Sequence, residues 1–176
     1  VAWAAERDGA SDGRVEVDWP AMIGQLREQW SRLPNDETRH QLAIAYNNYG
    51  ITLSDAGKHV DAIRQLQDAL RLEPDDVQFH ANLARIQLRS AQAAYQEYRI
   101  PEAKTLIAEA IKLSPDQAET YALLGEIEYH SQRLKEAKAA WEKAVKLNPE
   151  LDVIQGKLER LNQELPVESE FEKVSQ

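Results

Sequence analysis

The chain has 176 residues, of which 43% are hydrophobic and 29% are charged, so it can bury a core and is not expected to be disordered. Its formal net charge of −9 disfavours phosphate backbones and anionic lipid surfaces, which argues against nucleic acid and membranes as partners. The sequence has no cysteine, hence no disulfide or thiolate chemistry, and no apolar run long enough for membrane insertion.

The first residues predict a flexible tail. Residues 1–17 carry two glycines and scattered charges, which disfavours a regular element. Ala2 and Ala4 have the small-x-small form of a signal-peptidase site. This pattern points to a periplasmic location, and a chance match in a cytoplasmic protein is the alternative.

An amphipathic helix is predicted next. Asp18, Trp19 and Pro20 are typical of a helix start, because aspartate can cap a helix and proline fits its first turn. Apolar residues then follow at helical spacing: Met22, Ile23, Leu26, Trp30 and Leu33. We therefore predict that residues 18–35 hold an N-terminal capping helix that stops before Pro34.

A four-residue pattern then recurs three times. Two alanines, a leucine and a proline are spaced seven, three and two residues apart in each copy: Ala62, Ala69, Leu72 and Pro74; Ala103, Ala110, Leu113 and Pro115; and Ala137, Ala144, Leu147 and Pro149. The last two prolines are 34 residues apart and the first two are 41 apart, a difference of about two helical turns. We predict repeats at 36–76, 77–117 and 118–151, with a seven-residue insertion in the second that falls within 90–100.

Upstream of each copy lies a bulky residue, which is followed four positions later by a small one. These upstream halves begin Tyr46-x-x-Tyr49-Gly50, His80-x-x-Leu83-Ala84 and Tyr121-x-x-Leu124-Gly125. The two halves together resemble the tetratricopeptide repeat over about residues 43–151. The resemblance implies an all-α fold: a right-handed superhelical array of antiparallel helix pairs with a capping helix at each end. Small residues on both helices of a pair would let the two backbones approach closely.

The repeats are followed by a second predicted cap and a tail. Leucine and isoleucine recur at steps of three and four from Leu151 to Leu165, which predicts a C-terminal capping helix over 152–165 with one polar face. Residues 166–176 are acidic and non-periodic, as in a tail or linker. They resemble the stretch that joins repeat arrays to a zinc metallopeptidase-like domain in some bacterial proteins.

The sequence carries no pattern of a catalytic or metal site. None of its four histidines pairs with another at i, i+4, and it has no His-Glu-x-x-His, glycine-rich phosphate loop or Gly-x-Ser-x-Gly. We therefore predict a non-catalytic chain without cofactor or metal. His80 stands at a packing position of the repeat pattern, so we expect it to have a structural role.

The remaining functional prediction from the sequence is a binding surface on the array. The first helix of each pair lines the concave side of such an array, where a peptide or partner protein would bind. The residues expected to bind it are Asn47, Asn48, Ile51, Asn82, Arg85, Arg89, Glu126 and Tyr129. Arg85 and Arg89, one turn apart, would form a basic spot in an acidic chain.

Some members of the family hold a peptide's C-terminal carboxylate with basic residues and asparagines in this groove. Asn82 matches one of those asparagines. Asn47 and Ile51 stand where a lysine and an asparagine would be needed, and Glu119 and Leu123 replace basic residues. The resemblance therefore does not extend to that clamp.

Two other functions remain open on the sequence alone. Apolar residues at the caps could mediate self-association into a homo-oligomer. The chain could also position substrate as the N-terminal domain of a larger bacterial envelope metallopeptidase-like protein. In addition, Tyr95 and Tyr98 are expected to project from one edge, either packing on the next hairpin or forming a second contact patch.

Overall fold

The computed structural model describes residues 17–164, and within that range the chain forms eight α-helices and no strand. The helices are α1 (Trp19–Arg32), α2 (Asp36–Asp55), α3 (His59–Leu72), α4 (Val77–Gln96), α5 (Ile100–Leu113), α6 (Ala118–His130), α7 (Leu134–Leu147) and α8 (Asp152–Glu164). The closest pairs are α2 with α3, α4 with α5 and α6 with α7, while α1 packs on α2 and α8 packs on α7. The predicted all-α array of antiparallel helix pairs is confirmed.

The repeated alanines lie between the helices. All six of them are completely buried: Ala62, Ala69, Ala103, Ala110, Ala137 and Ala144. In the first pair a Cβ at Gly50 would fall well inside 3.0 Å of Leu66 Cδ1, and in the third a Cβ at Gly125 would lie within 2.8 Å of three Trp141 ring atoms. The large side chain of the second helix packs directly onto each glycine and leaves room only for hydrogen at the contact.

The second pair has a different register from the predicted one. Ala91 and Ala94, rather than Ala84, pack with Ala103 and Ile107 of α5. Ala91 lies seven residues before the middle residue of its hairpin turn, as Gly50 and Gly125 do in the other two pairs. Ala91 is therefore the small residue of the second pair. In the same register Gln87, not His80, takes the position of Tyr46 and Tyr121.

The additional two turns lie at the N-terminal ends of both α2 and α4. Each of these helices has 20 residues, whereas α6 has 13. The three helices begin at Asp36, Val77 and Ala118, at equal intervals of 41 residues. The predicted insertion within 90–100 of the second repeat alone is therefore wrong. The proline intervals from Pro34 to Pro74 and from Pro74 to Pro115 each contain a first helix of 20 residues, whereas the interval from Pro115 to Pro149 contains the 13-residue α6, so the last repeat is the short one.

All three hairpins turn through the same backbone conformation. The middle residue has a positive φ in each: 75° at Gly57, 59° at Tyr98 and 60° at Gln132. The next backbone N–H then donates to the carbonyl five residues before it, over 2.8–2.9 Å in the three turns. This is the Schellman ending of a helix, which glycine usually supplies. Only the first turn has glycine. In the other two, a residue with a side chain adopts the left-handed backbone conformation, which costs free energy.

The two capping helices cover opposite ends of the array. At the start of α1 the Asp18 carboxylate accepts from the Ala21 N–H at 3.0 Å, and Trp19 Nε1 donates to Thr52 Oγ1 at 3.1 Å. At the other end, Ile154 and Leu161 of α8 pack with Trp141 of α7. Residues 1–16 of the predicted N-terminal tail, with Ala2 and Ala4, lie outside the described residues, as do Leu165 of the predicted C-terminal cap and the predicted tail 166–176.

The close contact at Gly125 predicts a loss of stability in Gly125→Ala. The new methyl group would collide with Trp141, which is 1% exposed and donates its Nε1–H to the Ala122 carbonyl at 3.2 Å. We expect the free energy of unfolding to fall by about 1–3 kcal/mol, measured by urea denaturation. The matched control is Gly156→Ala in α8, where nothing lies within 4 Å. Glycine disfavours helix, so this variant should gain up to about 1 kcal/mol, and equal effects at the two sites would contradict the packing argument.

The strained third turn predicts that Gln132→Gly stabilises the fold. Left-handed backbone costs a side-chain residue about 1–2 kcal/mol, more than the roughly 0.5–1 kcal/mol of chain entropy that glycine adds. We expect the free energy of unfolding to rise by about 0.5–1 kcal/mol. Gln67→Gly in the middle of α3 serves as the control and should lose about that amount. A loss in both variants would show that the turn is unstrained.

Candidate partner-binding groove

The first helices of the three pairs line one continuous face. Helix α2 contacts α4 and α4 contacts α6, and Lys157 of α8 pairs with Glu126 of α6. We call this surface the groove face. The residues predicted to bind a partner lie on α2, α4 and α6, but the structure divides them into three local groups with different surroundings.

The first group is a buried asparagine network between α2 and α4. Asn47 and Asn82 are each 6% exposed, and Asn82 Nδ2 donates to Asn47 Oδ1 at 2.9 Å. Asn47 Nδ2 in turn donates to Asn48 Oδ1 at 3.1 Å. Because buried amides must be hydrogen-bonded, Asn47 and Asn82 join the two helices. Of the three asparagines, only the half-buried Asn48 is open to solvent, beside the half-buried Ile51.

The second group contains the two arginines, and only one of them offers a free positive charge. Arg89 Nη1 binds Asp55 Oδ1 at 2.6 Å, so the charges cancel locally. Arg85 is exposed and donates Nη2–H to Asn82 Oδ1 at 3.3 Å. Among residues 17–164, no carboxylate oxygen lies within 4.0 Å of its guanidinium. The basic spot predicted from two arginines is thus formed by Arg85 alone.

The third group lies at the C-terminal end of the face. The Tyr129 ring lies 5.5 Å from Trp141 and 5.7 Å from His130, and its neighbour Glu126 is paired with Lys157. A cavity of about 240 Å³ opens between α6, α7 and α8. It is lined by Glu126, Tyr129, His130, Trp141, Lys157, Arg160, Leu161 and Glu164. The predicted Glu126 and Tyr129 therefore belong to a pocket that α8 completes.

The corrected register adds Tyr95 to this side of the array. Ser54, Tyr95 and Tyr129 each stand three residues before the middle of their hairpin turns, so they occupy equivalent positions. The Tyr95 ring lies 6.1 Å from that of His130 on the next first helix. The sequence pattern placed Tyr95 at an edge and not among the groove positions, because no glycine marks the turn at Tyr98 from which its register is counted.

Glu128 is a buried carboxylate with a raised pKa. Burial raises the pKa of Glu128, and the charge of Glu136 adds to the increase. Its carboxylate pairs with Lys104 at 2.7 Å and with Arg133 at 2.6 Å. A shifted carboxyl can signal catalysis, but this one is held by cations from α5 and from the α6–α7 turn. It therefore links structural elements.

Residues 17–164 bring no three metal-ligating side chains of histidine, aspartate or glutamate together. None of the helices within that range combines the length and apolarity that a membrane span requires.

Two models of the tetratricopeptide repeat family match, over residues 50–90 and 118–151. The chain carries tetratricopeptide repeats. Over 126 residues, or 67% of its length, it is 27% identical to the protein O-mannosyl-transferase Tmtc3 of Drosophila melanogaster, and the match spans 13% of that relative.

Two solved structures share the fold. The TPR domain of Arabidopsis OM64 gives a TM-score of 0.50 at 16% identity, covering 72% of this chain and 99% of that one. The C-terminal TPR-containing domain of a Plasmodium falciparum protein named as an FK506-binding protein gives 0.50 at 22% identity, covering 76% and 94%. The superhelical array implied by the sequence resemblance is thus confirmed.

The asparagine network predicts coupled effects of substitution. Asn82→Leu removes the 2.9 Å donor to Asn47 and leaves the buried Asn47 Oδ1 unpaired, at an expected cost of about 1–3 kcal/mol. The double variant Asn47→Leu with Asn82→Leu should cost less than the sum of the single variants, because no buried amide of this pair then remains unsatisfied. Urea denaturation of the four proteins measures the coupling. Additive costs would show that the two side chains do not depend on each other.

Proposed function

We propose that this chain is a non-catalytic scaffold that binds an extended segment of a partner protein on the groove face. Tetratricopeptide arrays present such surfaces, and their shape, rather than any reactive group, determines what they bind. The observation that carries the proposal is the surroundings of Arg85. Its charge lies on the face shared by α2 and α4 without a carboxylate partner among the described residues.

The partner segment should carry a carboxylate near Arg85 and an extended backbone near Asn48. A guanidinium binds a carboxylate through two parallel hydrogen bonds, which fixes its orientation. Asn48 is half-buried on the same face, and an asparagine amide can both donate to and accept from a peptide backbone. Asn47, Asn82 and Arg89, predicted as further contacts, are engaged within the fold and would shape the groove from behind.

Reversal of charge at Arg85 tests the proposal. Binding partners retained by the intact chain are identified by pull-down, and their affinities for Arg85→Glu are then measured. We expect a loss of at least about tenfold, because removing a charge-assisted hydrogen bond and adding a repulsive charge cost roughly 1.5–3 kcal/mol. The helix content by circular dichroism should not change.

Arg64→Glu is the matched control. Arg64 lies on the second helix α3, is exposed and pairs with Asp61 at 3.4 Å, so the same charge reversal occurs away from the groove face. The control should bind like the unmodified chain. Equal losses in the two variants would indicate a general charge effect, and no loss in Arg85→Glu would exclude the groove face near Arg85.

Self-association is a second candidate function, favoured by exposed apolar side chains. Val77 is 80% exposed, Val153 is 71% exposed and Leu33 is 69% exposed, at separate points along the array. Isolated apolar residues are common on the surfaces of monomers, so they favour self-association less than the unpaired Arg85 favours partner binding. Light scattering over a range of concentrations distinguishes the two. A substrate-positioning role beside a metallopeptidase-like domain is checked by reading the gene past Gln176 for His-Glu-x-x-His.

A further inference from the structure

Tyr98 combines a left-handed backbone, which Gln132 shares in the third turn, with an aromatic ring that is largely exposed. It occupies the left-handed position of the second hairpin turn, with φ 59°, and its side chain is 87% exposed. A left-handed backbone is unfavourable at a residue with a side chain, and such strain is often kept where it serves a function. The equivalent position in the first turn is Gly57, so the same turn accepts glycine without a side chain. The exposed ring recovers little of the cost through packing.

A cavity of about 370 Å³ opens beside this ring, between the end of α4 and the α6–α7 turn. We call it the aromatic notch. It is lined by Tyr95, Gln96, Tyr98, Ile100, His130 and Ser131. Tyr95 packs against the buried cluster around Ala94 and Ile107, and its ring contacts His130, so one wall of the notch is fixed. Tyr98 forms the other, open wall.

The lining of the notch has no carboxylate, ammonium or guanidinium group, although the chain is acidic. None of its lining residues is an aspartate, glutamate, lysine or arginine. The arginine next to it in sequence, Arg99, is held by Glu97 at 2.9 Å and by Glu102. A charged ligand would therefore lose its hydration here without gaining an opposite charge. The lining selects a neutral ligand that has flat apolar groups and hydrogen-bond acceptors.

We propose that the aromatic notch docks a neutral proline-rich segment of a partner protein in the polyproline II conformation. Such a segment presents prolyl rings that pack on aromatic faces, and carbonyl groups that have no internal hydrogen-bond partner. The Tyr98 ring supplies an exposed face, and the Tyr95 hydroxyl and the Gln96 amide supply donors, whereas the Ser131 hydroxyl already donates to the Ile127 carbonyl at 2.6 Å. A segment already extended in solution loses little conformational entropy on binding.

The tyrosines differ in their roles. Tyr98 supplies contact area, whereas Tyr95 supplies a hydrogen bond from a fixed position. Burial, followed by the charges of Glu126 and Tyr98, raises the pKa of Tyr95, so its phenol is a donor throughout the neutral pH range. This surface does not require the carboxylate contact at Arg85, which lies on the preceding part of α4.

Titration with a decaproline peptide, followed by NMR chemical shifts of the intact chain, tests the proposal. We expect shifts confined to residues around Tyr95, Tyr98 and His130. Tyr98→Asn removes the ring but keeps a residue that tolerates the left-handed backbone, and it should weaken binding by about fivefold to tenfold. Tyr95→Phe removes only a hydroxyl and should weaken binding by about twofold to fivefold.

Gly57→Asn controls for the turn, because it places asparagine at the same turn position in the first repeat. It should bind decaproline like the unmodified chain, and so should Arg85→Glu, which separates this site from the groove face. A glycine–serine peptide of equal length should not bind. The proposal is overturned if decaproline causes no shifts, if an acidic peptide or the glycine–serine peptide binds as well, or if Tyr98→Asn binds normally. Shifts at the notch that appear on raising the protein concentration alone would identify a second copy as its occupant and also overturn it.

Discussion

The close packing of two helices at one small residue is the constraint on which this array depends. At Gly50 and Gly125 the neighbouring helix leaves no room for a Cβ, and Ala91 is the corresponding residue of the second pair. Each of the three lies seven residues before a left-handed turn residue. Seven residues are about two helical turns, so the turn and the contact lie on a fixed segment of helix. Together the turn and the small-residue contact determine how the two helices of each pair pack, whatever the length of the first helix beyond the contact.

This constraint explains where the repeats can differ in length. Because the turn end of each pair is fixed, additional residues can be accommodated at the N-terminal end of the first helix. Helices α2 and α4 are longer than α6 at that end. The additional turns of α4 carry Asn82, which reaches Asn47 on the helix before it. The longer helices thus provide hydrogen bonding between successive repeats, in addition to the apolar contacts within each pair.

The sequence predicted the parts of this structure that follow from spacing within one helix pair. The buried alanines and the Asp18 cap are of this kind, because they need only local periodicity and a helix end. The register of α4 was predicted wrongly because Ala84 and Ala91 are both small residues seven apart on the same helix face, and only packing distinguishes them. The turns at Tyr98 and Gln132 have no glycine to mark them. The pairing of Arg89 with Asp55 joins residues on different repeats, and no local pattern encodes it.

The two candidate surfaces differ in how the charge of the chain affects them. A net charge of −9 opposes an acidic partner at a distance, while Arg85 attracts it on contact. Repulsion between separated exposed charges is screened by salt within a Debye length of roughly 8 Å, whereas a hydrogen-bonded contact is screened much less. Acidic segments would therefore be selected by contact rather than by long-range attraction. A neutral segment at the aromatic notch experiences neither effect, so its affinity must come from packing and hydrogen bonds. If both proposals hold, the two ligands would not compete, because their binding would depend on different physical terms and on residues of separate parts of α4.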